Sequence, residues 1–284
     1  MSMKFDEHPN FQVDAIKEIL DQLVGGAENI LGDNFVGAWL QGSSATGHFD
    51  EHSDIDFVIG VKRDLTREEL SSLQKFHQQL YNYESHWSKH LEGSYIPMSI
   101  LRESRFAGEK VWYLDHGSTN FERSAHDNSV AVKWILREKG VVLAGPDPSE
   151  IMDPITVFEL RKDIYQTFAD WAELIIDNPD EISSHFYQSF AVLSYCRMLN
   201  DIRCGSVGSK RDGAEWVKAH LDPMWGDLID KAWLGRHNPA LSVKRPADQE
   251  DVRRTVEFIQ VILEVARQFM ISFGLDPTTV LDET

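Results

Sequence analysis

The stretch 35-FVGAWLQGSSATGHFDEHSDIDFVIGV-61 decides the fold. Its ends, FVGAWLQ (35–41) and IDFVIGV (55–61), are apolar runs of strand length. Its middle is rich in Gly, Ser and Asp, the residues of turns. The pattern predicts a strand–loop–strand pair that holds the loop's polar residues at one end of both strands. Asp54 and Asp56 flank Ile55. On a strand, residues i and i+2 share a face. Both carboxylates can therefore converge on one metal ion while Ile55 turns into the core. Mg2+ prefers hard oxygen ligands and usually takes only one or two carboxylates. Gly42-Ser43, at the tight turn, lets backbone N–H groups and a hydroxyl approach phosphate oxygens closely. A lone Asp-x-Asp also fits two solvated acids on a strand edge. The weight lies in the combination: an apolar strand, Gly42-Ser43, Gly47, Ser53-Asp54-Ile55-Asp56, then a second apolar strand.

Upstream, Phe11, Ile16, Ile19, Leu20, Leu23 and Val24 recur at helical spacing, which predicts an amphipathic helix over 11–24 ending at Gly25-Gly26. Downstream, 66–82 reads as a helix. LEGSYIPMSIL (91–101) reads as a third strand, with Pro97 pointing to an edge or a bulge. NSVAVKWILREK (128–139) reads as a helix stopped by Gly140, with Asp127 or Asn128 as its cap. GPDPSEIMDP (145–154) is the best domain boundary. Beyond it the pattern is helical throughout, over roughly 156–177, 184–203, 211–220, 223–235 and 248–273. The expected organisation is an α+β N-terminal domain over 1–153, a mixed sheet with flanking helices, followed by an all-α helical bundle over 154–284.

The 284 residues suit two domains. No stretch approaches the ~20 consecutive apolar residues of a membrane span. The N-terminus lacks the apolar segment of a secretory signal. Two cysteines, Cys196 and Cys204, make neither a disulfide framework nor a CxxC metal motif, so a reducing cytoplasmic setting is expected. The formal net charge of −18 repels phosphate backbones. It argues against nucleic acid and is compatible with cationic small substrates.

The motif in 35–61 resembles the signature of the DNA polymerase β-like nucleotidyltransferase superfamily. That superfamily adds a third carboxylate from a later strand. Glu92, which opens the apolar run after 91, is the candidate, with Glu84 and Glu103 as competitors. Two carboxylates hold metal, and a third joins the set and can act as general base on an acceptor hydroxyl.

The second half narrows the resemblance. WILREKGVVLAGPDP (134–148), YCRMLNDIRCGSVGSKRDGAEW (195–216) and AWLGR (232–236) are similar to runs of the aminoglycoside adenylyltransferases, the streptomycin/spectinomycin enzymes among them. The resemblance spans about residues 36 to 240. It implies an N-terminal nucleotidyltransferase domain and a helical C-terminal domain, with ATP and drug held between them. It implies Mg2+ on Asp54 and Asp56, phosphate contacts from Ser43 and Ser53, and Glu92 as base. Arg197 and Lys210 match the family's basic residues that reach the ATP phosphates. Trp233 replaces the family's nucleotide-stacking tyrosine.

The drug-recognising positions depart from the family. Ser183 and Tyr187 or their neighbours stand where acids are expected, with Asp180 and Glu181 nearby. His116, His126 and Asp127 are available to line a substrate cleft, or belong to an ordinary polar loop. Trp112 is core or cleft wall, and Trp216 and Trp225, with Trp233, fit a helical core. The implied reaction is Mg2+-dependent transfer of AMP from ATP to a hydroxyl of an aminoglycoside or aminocyclitol. The alternatives are the same transfer to another hydroxylated metabolite, or a silent nucleotide-binding sensor. The expected partners are ATP and a cationic small-molecule acceptor, with no nucleic acid and no membrane, in a monomer or small homo-oligomer.

Overall fold

A computed structural model describes residues 14–47, 49, 53–116, 118–236 and 243–277. By its internal contacts the chain divides into two compact units, Met1–Ile155 and Thr156–Thr284.

Unit 1 is built on a six-stranded mixed sheet. Its strands are β1 (Phe35–Leu40), β2 (Ile55–Val61), β3 (Leu91–Pro97), β4 (Val111–Leu114), β5 (Phe121–Ser124) and β6 (Val141–Ala144), in the order β5-β4-β3-β2-β1-β6. β1 and β2 pair antiparallel, as the opening stretch predicts. β2 and β3 pair parallel, and this is the junction that builds the site: Asp56 lies opposite Glu92. Its parallel connection is carried by α3 (Arg67–Tyr81), which starts at a capping box between Thr66 and Glu69.

Alternation along the strands splits the core into two layers. Ala38, Leu40, Ile55, Phe57, Ile59, Leu91 and Tyr95 pack on one face with α1 (Asp14–Leu31) and α3. Trp39, Val58 and Ile96 pack on the other with Leu136 of α5 (Val130–Lys139). Asp56 has the parity of Val58, and Glu92 that of Ile96, so both carboxylates belong to the α5 face.

Three sequence expectations are corrected. The first helix does not stop at Gly25-Gly26; it runs to Leu31. Its buried stripe, Ile16, Ile19, Leu20, Leu23, Ala27 and Leu31, continues past both glycines. Each fully buried Leu or Ile is worth roughly 1.5–3 kcal/mol, more than the ~1 kcal/mol a mid-helix glycine costs. Gly26 is there for space: a Cβ would lie 2.1 Å from the Phe76 ring of α3. Phe11, the start of the predicted helix, lies outside the described residues. Secondly, Pro97 marks neither an edge nor a bulge. β3 is an interior strand, and Pro97 is its last residue, beyond which the chain turns into the short helix α4 (Met98–Leu101) after a short α2 (Gly42–Thr46) earlier in the chain. Thirdly, α5 is capped by Ser129, whose side chain accepts from the Val132 N–H, and not by Asp127 or Asn128. Asp127 is drawn elsewhere, as described below.

After a one-turn helix α6 (Pro148–Ile151), unit 2 begins at a capping box between Thr156 and Glu159. It consists of α7 (Val157–Asp177), α8 (His185–Cys204), α9 (Lys210–His220), α10 (Gly226–Gly235) and α11 (Gln249–Ser272). α8 is buried on nearly all sides and packs against the other four helices, burying polar Gln188, Ser189, Ser194, Asn200 and Asp201 along with its apolar residues. Trp225 is buried in this unit, while Trp216 and Trp233 are half-buried. Among the described residues, no helix is long and apolar enough to cross a membrane.

Candidate active site

The site forms where β2 and β3 begin. Gly42, the first residue after Gln41, adopts φ +59, a left-handed conformation that glycine takes at no steric cost. A Cβ at Gly42 would lie 2.1 Å from Asp56 Oδ2. The backbone therefore presses directly on the Asp56 carboxylate, and the Gln41 N–H donates to the Asp56 carbonyl at 2.9 Å. The Oγ atoms of Ser43 and Ser44 are buried and have no hydrogen-bond partner among the described residues. Buried hydroxyls of that kind normally find a partner, which suits a ligand rich in oxygen acceptors.

Asp54 sits just before β2. Its Oδ1 lies 2.8 Å from His116 Nδ1 and 3.4 Å from His90 Nδ1. Burial alone would raise this carboxyl, but the two imidazoles outweigh that and hold it down at about 2. His116 is raised in turn, chiefly by its contact with Asp54. Glu92 is 13% exposed at its side chain, shielded but reachable. Its Oε1 accepts from the Tyr113 hydroxyl at 2.6 Å and lies 3.3 Å from His126 Nε2. Burial and the neighbouring Glu92 both push the Tyr113 phenol up, so it stays a donor. His126 is raised, first by Glu92.

Behind the carboxylates, Asp127 is buried. It accepts from Ser94 Oγ at 2.8 Å and from Gln41 Nε2 at 2.9 Å. Desolvation pushes it up to about 6. This bridge ties the end of β1, β3 and the start of α5 together.

The candidate carboxylates are placed as follows. Asp56 and Glu92 are register partners, with Gly42 packed on Asp56. Asp54 stands at the rim, and Ser53 precedes it. Glu84 is exposed in the turn after α3, and Glu103 is engaged with Arg105 at 2.6 Å. Neither competes with Glu92. Asp54 and Asp56 supply the hard oxygen donors that magnesium prefers, and the low Asp54 value keeps one of them ionised at neutral pH. This donor set fits magnesium. His90 and Tyr113 were missed by sequence reasoning. Trp112 is half-buried, with the Arg123 guanidinium over its ring at 4.3 Å.

Comparison with known families identifies the two halves of the chain. Residues 14–107 match the nucleotidyltransferase domain model, and residues 150–266 match the C-terminal domain model of the aminoglycoside adenylyltransferases. The chain is an aminoglycoside adenylyltransferase-like nucleotidyltransferase. No curated protein matches it. Among solved structures, this nucleotidyltransferase is similar in fold to the spectinomycin adenyltransferase AAD(9) of Enterococcus faecialis, crystallised with ATP and spectinomycin. The TM-score is 0.65 and the identity 16%, over 87% of this chain and 99% of that one.

The helical unit of the enzyme holds the remaining candidates. Arg197 lies on α8 and Lys210 opens α9 behind its Ser209 cap. The two helices cross at Gly213, where a Cβ would lie 2.6 Å from the backbone N and Cα of Arg197. Arg197 Nε is buried without a hydrogen-bond partner among the described residues. Lys210 Nζ lies 4.0 Å from the centroid of the exposed Phe190 ring. Trp233, on α10, carries the Arg236 guanidinium at 4.2 Å. Ser183 and Tyr187 are exposed at the start of α8, and Asp180 and Glu181 lie in the turn before it.

Proposed function

We propose that the enzyme transfers AMP from ATP to a hydroxyl of an aminoglycoside or aminocyclitol such as streptomycin or spectinomycin, in the cytoplasm. The observation that carries the reading is the Asp56–Glu92 register pair with Gly42 packed against Asp56. It supports the reading because the two carboxylates proposed as metal ligand and base are neighbours across β2 and β3, near the unsatisfied hydroxyls of Ser43 and Ser44. The family match and the ATP and spectinomycin bound by the similar structure support the choice of nucleotide and acceptor.

Asp54 and Asp56 would hold magnesium, with Glu92 completing the carboxylate set. Magnesium when bound neutralises charge on the phosphates. Gly42 gives the triphosphate close access to the backbone, and Ser43, with Ser53, donates to its oxygens. Arg197 and Lys210 are the phosphate partners from the helical unit, where they stabilise charge on the leaving group. Trp233 stacks on the adenine. Glu92 takes the proton from the acceptor hydroxyl. Its contacts with Tyr113 and His126 both engage Oε1, which leaves Oε2 for this task. The acceptor oxygen bonds to the α-phosphorus as the bond to the bridging oxygen breaks, and pyrophosphate leaves. The acidic chain, at −18, suits a cationic acceptor.

The test is pyrophosphate release from ATP and magnesium across a panel of aminoglycosides. Glu92→Gln should lower turnover by about 10²–10⁴-fold while ATP binding persists. Wild-type turnover in that variant removes Glu92 as base. A second reading, transfer to another hydroxylated metabolite, is favoured by Ser183 and Tyr187 in place of the family's acids. It prevails if no drug in the panel becomes an AMP conjugate.

A further inference from the structure

The magnesium reading uses oxygen donors alone, yet the rim of the site carries nitrogen. Asp54, His90 and His116 each offer one ligand atom, and these atoms all lie within 4.8 Å of one another. The topology forces this convergence. Asp54 and His90 are the residues immediately before the parallel strands β2 and β3, and the Ile55 N–H donates to the His90 carbonyl at 2.7 Å. β4 runs antiparallel to β3, so its C-terminal end, followed by His116, returns to the same place. Three adjacent strands thus deliver three ligands to one corner.

Both imidazoles aim the same atom, Nδ1, at the same carboxylate oxygen, Asp54 Oδ1. One imidazole is enough to partner one carboxylate; the second is surplus to an ion pair and completes a ligand set. His116 Nδ1 is buried and makes no hydrogen bond of good geometry among the described residues, despite its closeness to Asp54. The two rings lie 4.9 Å apart at 60° to each other, tilted rather than stacked face to face. Donors around one ion with bonds of about 2 Å stand about 3–4 Å apart, so small rotamer changes close this set.

The donor chemistry selects the ion. Imidazole nitrogen suits zinc, cobalt, nickel and copper, whereas magnesium takes oxygen. Two histidines and one carboxylate with an open fourth position is also an arrangement in which zinc keeps a site for water or a substrate oxygen. We propose that Asp54, His90 and His116 form a binding site for a borderline divalent transition ion of the zinc and cobalt class, distinct in donor chemistry from the oxygen-ligated magnesium site and sharing Asp54 with it. The proposal rests on the reading above only through Asp54. An ion of this class draws Asp54 toward the histidines and therefore competes with the magnesium arrangement.

The experiment is titration of the full-length protein with Co2+ in the absence of nucleotide, followed by visible absorption and by calorimetry. The expected result is one bound ion with the strong visible band of low-coordinate cobalt on nitrogen ligands. His90→Ala and His116→Ala should each weaken binding at least 10-fold and bleach the band. His86→Ala, which removes a ring 4.2 Å from His90 that is outside the donor group, should keep the band. Circular dichroism and the thermal midpoint of each variant without metal establish that it is folded. The His90→Gln and His116→Gln proteins stand in for any alanine variant that is not. Absent cobalt binding, or binding with the same affinity and spectrum in the folded His90 and His116 variants, overturns the proposal. Asp56→Asn and Glu92→Gln test the transfer reaction without touching the histidines, so the two readings fail separately.

Discussion

Replacing Gly42 by alanine tests how the site is held. Two effects act together. The left-handed backbone, φ +59, costs a residue with a Cβ about 1–2 kcal/mol. The new Cβ would also sit 2.1 Å from Asp56 Oδ2, where ordinary contact begins near 3.4 Å, so the carboxylate must retreat by about 1.3 Å. Gly47 separates the two effects. It closes the same short helix at φ +79, yet a Cβ there meets nothing within 4 Å. Gly47→Ala should therefore show the backbone cost alone. At roughly 2–4 °C per kcal/mol for a domain of this size, its midpoint should fall by roughly 2–8 °C, with far less loss of turnover. Gly42→Ala should lose at least as much stability. It should also lose about 100-fold in turnover, the usual scale for a misplacement of about 1 Å at a reacting centre. The assay is a thermal melt paired with pyrophosphate release. Equal turnover in the two variants would refute the idea that Gly42 positions Asp56 by contact.

Other substitutions probe the supports. Gly213→Ala would drive a Cβ into the Arg197 backbone at 2.6 Å, a rigid neighbour; chemical denaturation should show a loss of about 1–3 kcal/mol, with weaker ATP binding by calorimetry. Tyr113→Phe removes the donor to Glu92 and Asp115 and should cost about 1–3 kcal/mol, measured the same way. Asp127 has a folded value of about 6, raised from 3.8 by burial. Its protonated form is the one that favours folding, so its contribution is full below pH 3.8 and lost as pH rises through about 6. Asp127→Asn should remove that loss, so the variant's stability relative to wild type should increase between pH 4 and pH 6 in parallel urea melts.

The legible parts of the molecule were those with long periodic signals. In unit 2, α7, α9, α10 and α11 follow a 3.6-residue repeat over ten residues or more, whereas α8, buried on nearly all sides, carries little of it; the predicted bounds of all five fall within a few residues of the observed ones. β1 and β2 were legible because a polar loop separates two apolar runs. β4, β5 and β6 were not. VWYL, FERS and VVLA are four residues each, too short for a period to stand out, and FERS has no apolar alternation on an outer strand. Within the site, Asp54, Asp56 and Glu92 could be found as acids at strand starts. The pairing of Asp56 with Glu92 could not, because parallel register is a tertiary property. His90 did carry a signal: it precedes β3 as Asp54 precedes β2. Tyr113 carried none, since its role depends on a strand that was not seen. Asp127 misled because an acid near a helix start reads as a cap, yet a buried hydroxyl and amide claimed it instead.

The place of β6 sets a condition on how the chain acquires its structure. This strand pairs with β1 from about a hundred residues further along, and just beyond it the Pro146 carbonyl accepts from the Trp39 indole at 2.9 Å. Until residues 141–146 arrive, β1 is an apolar strand with an open side, a ready template for another chain. Closing so long a loop is slow. During synthesis the polypeptide therefore passes through a sticky interval that ends only when β6 docks. Fragments cut before Ala144 should aggregate even when they hold every carboxylate of the site, and a workable expression boundary for the catalytic half lies beyond Pro146.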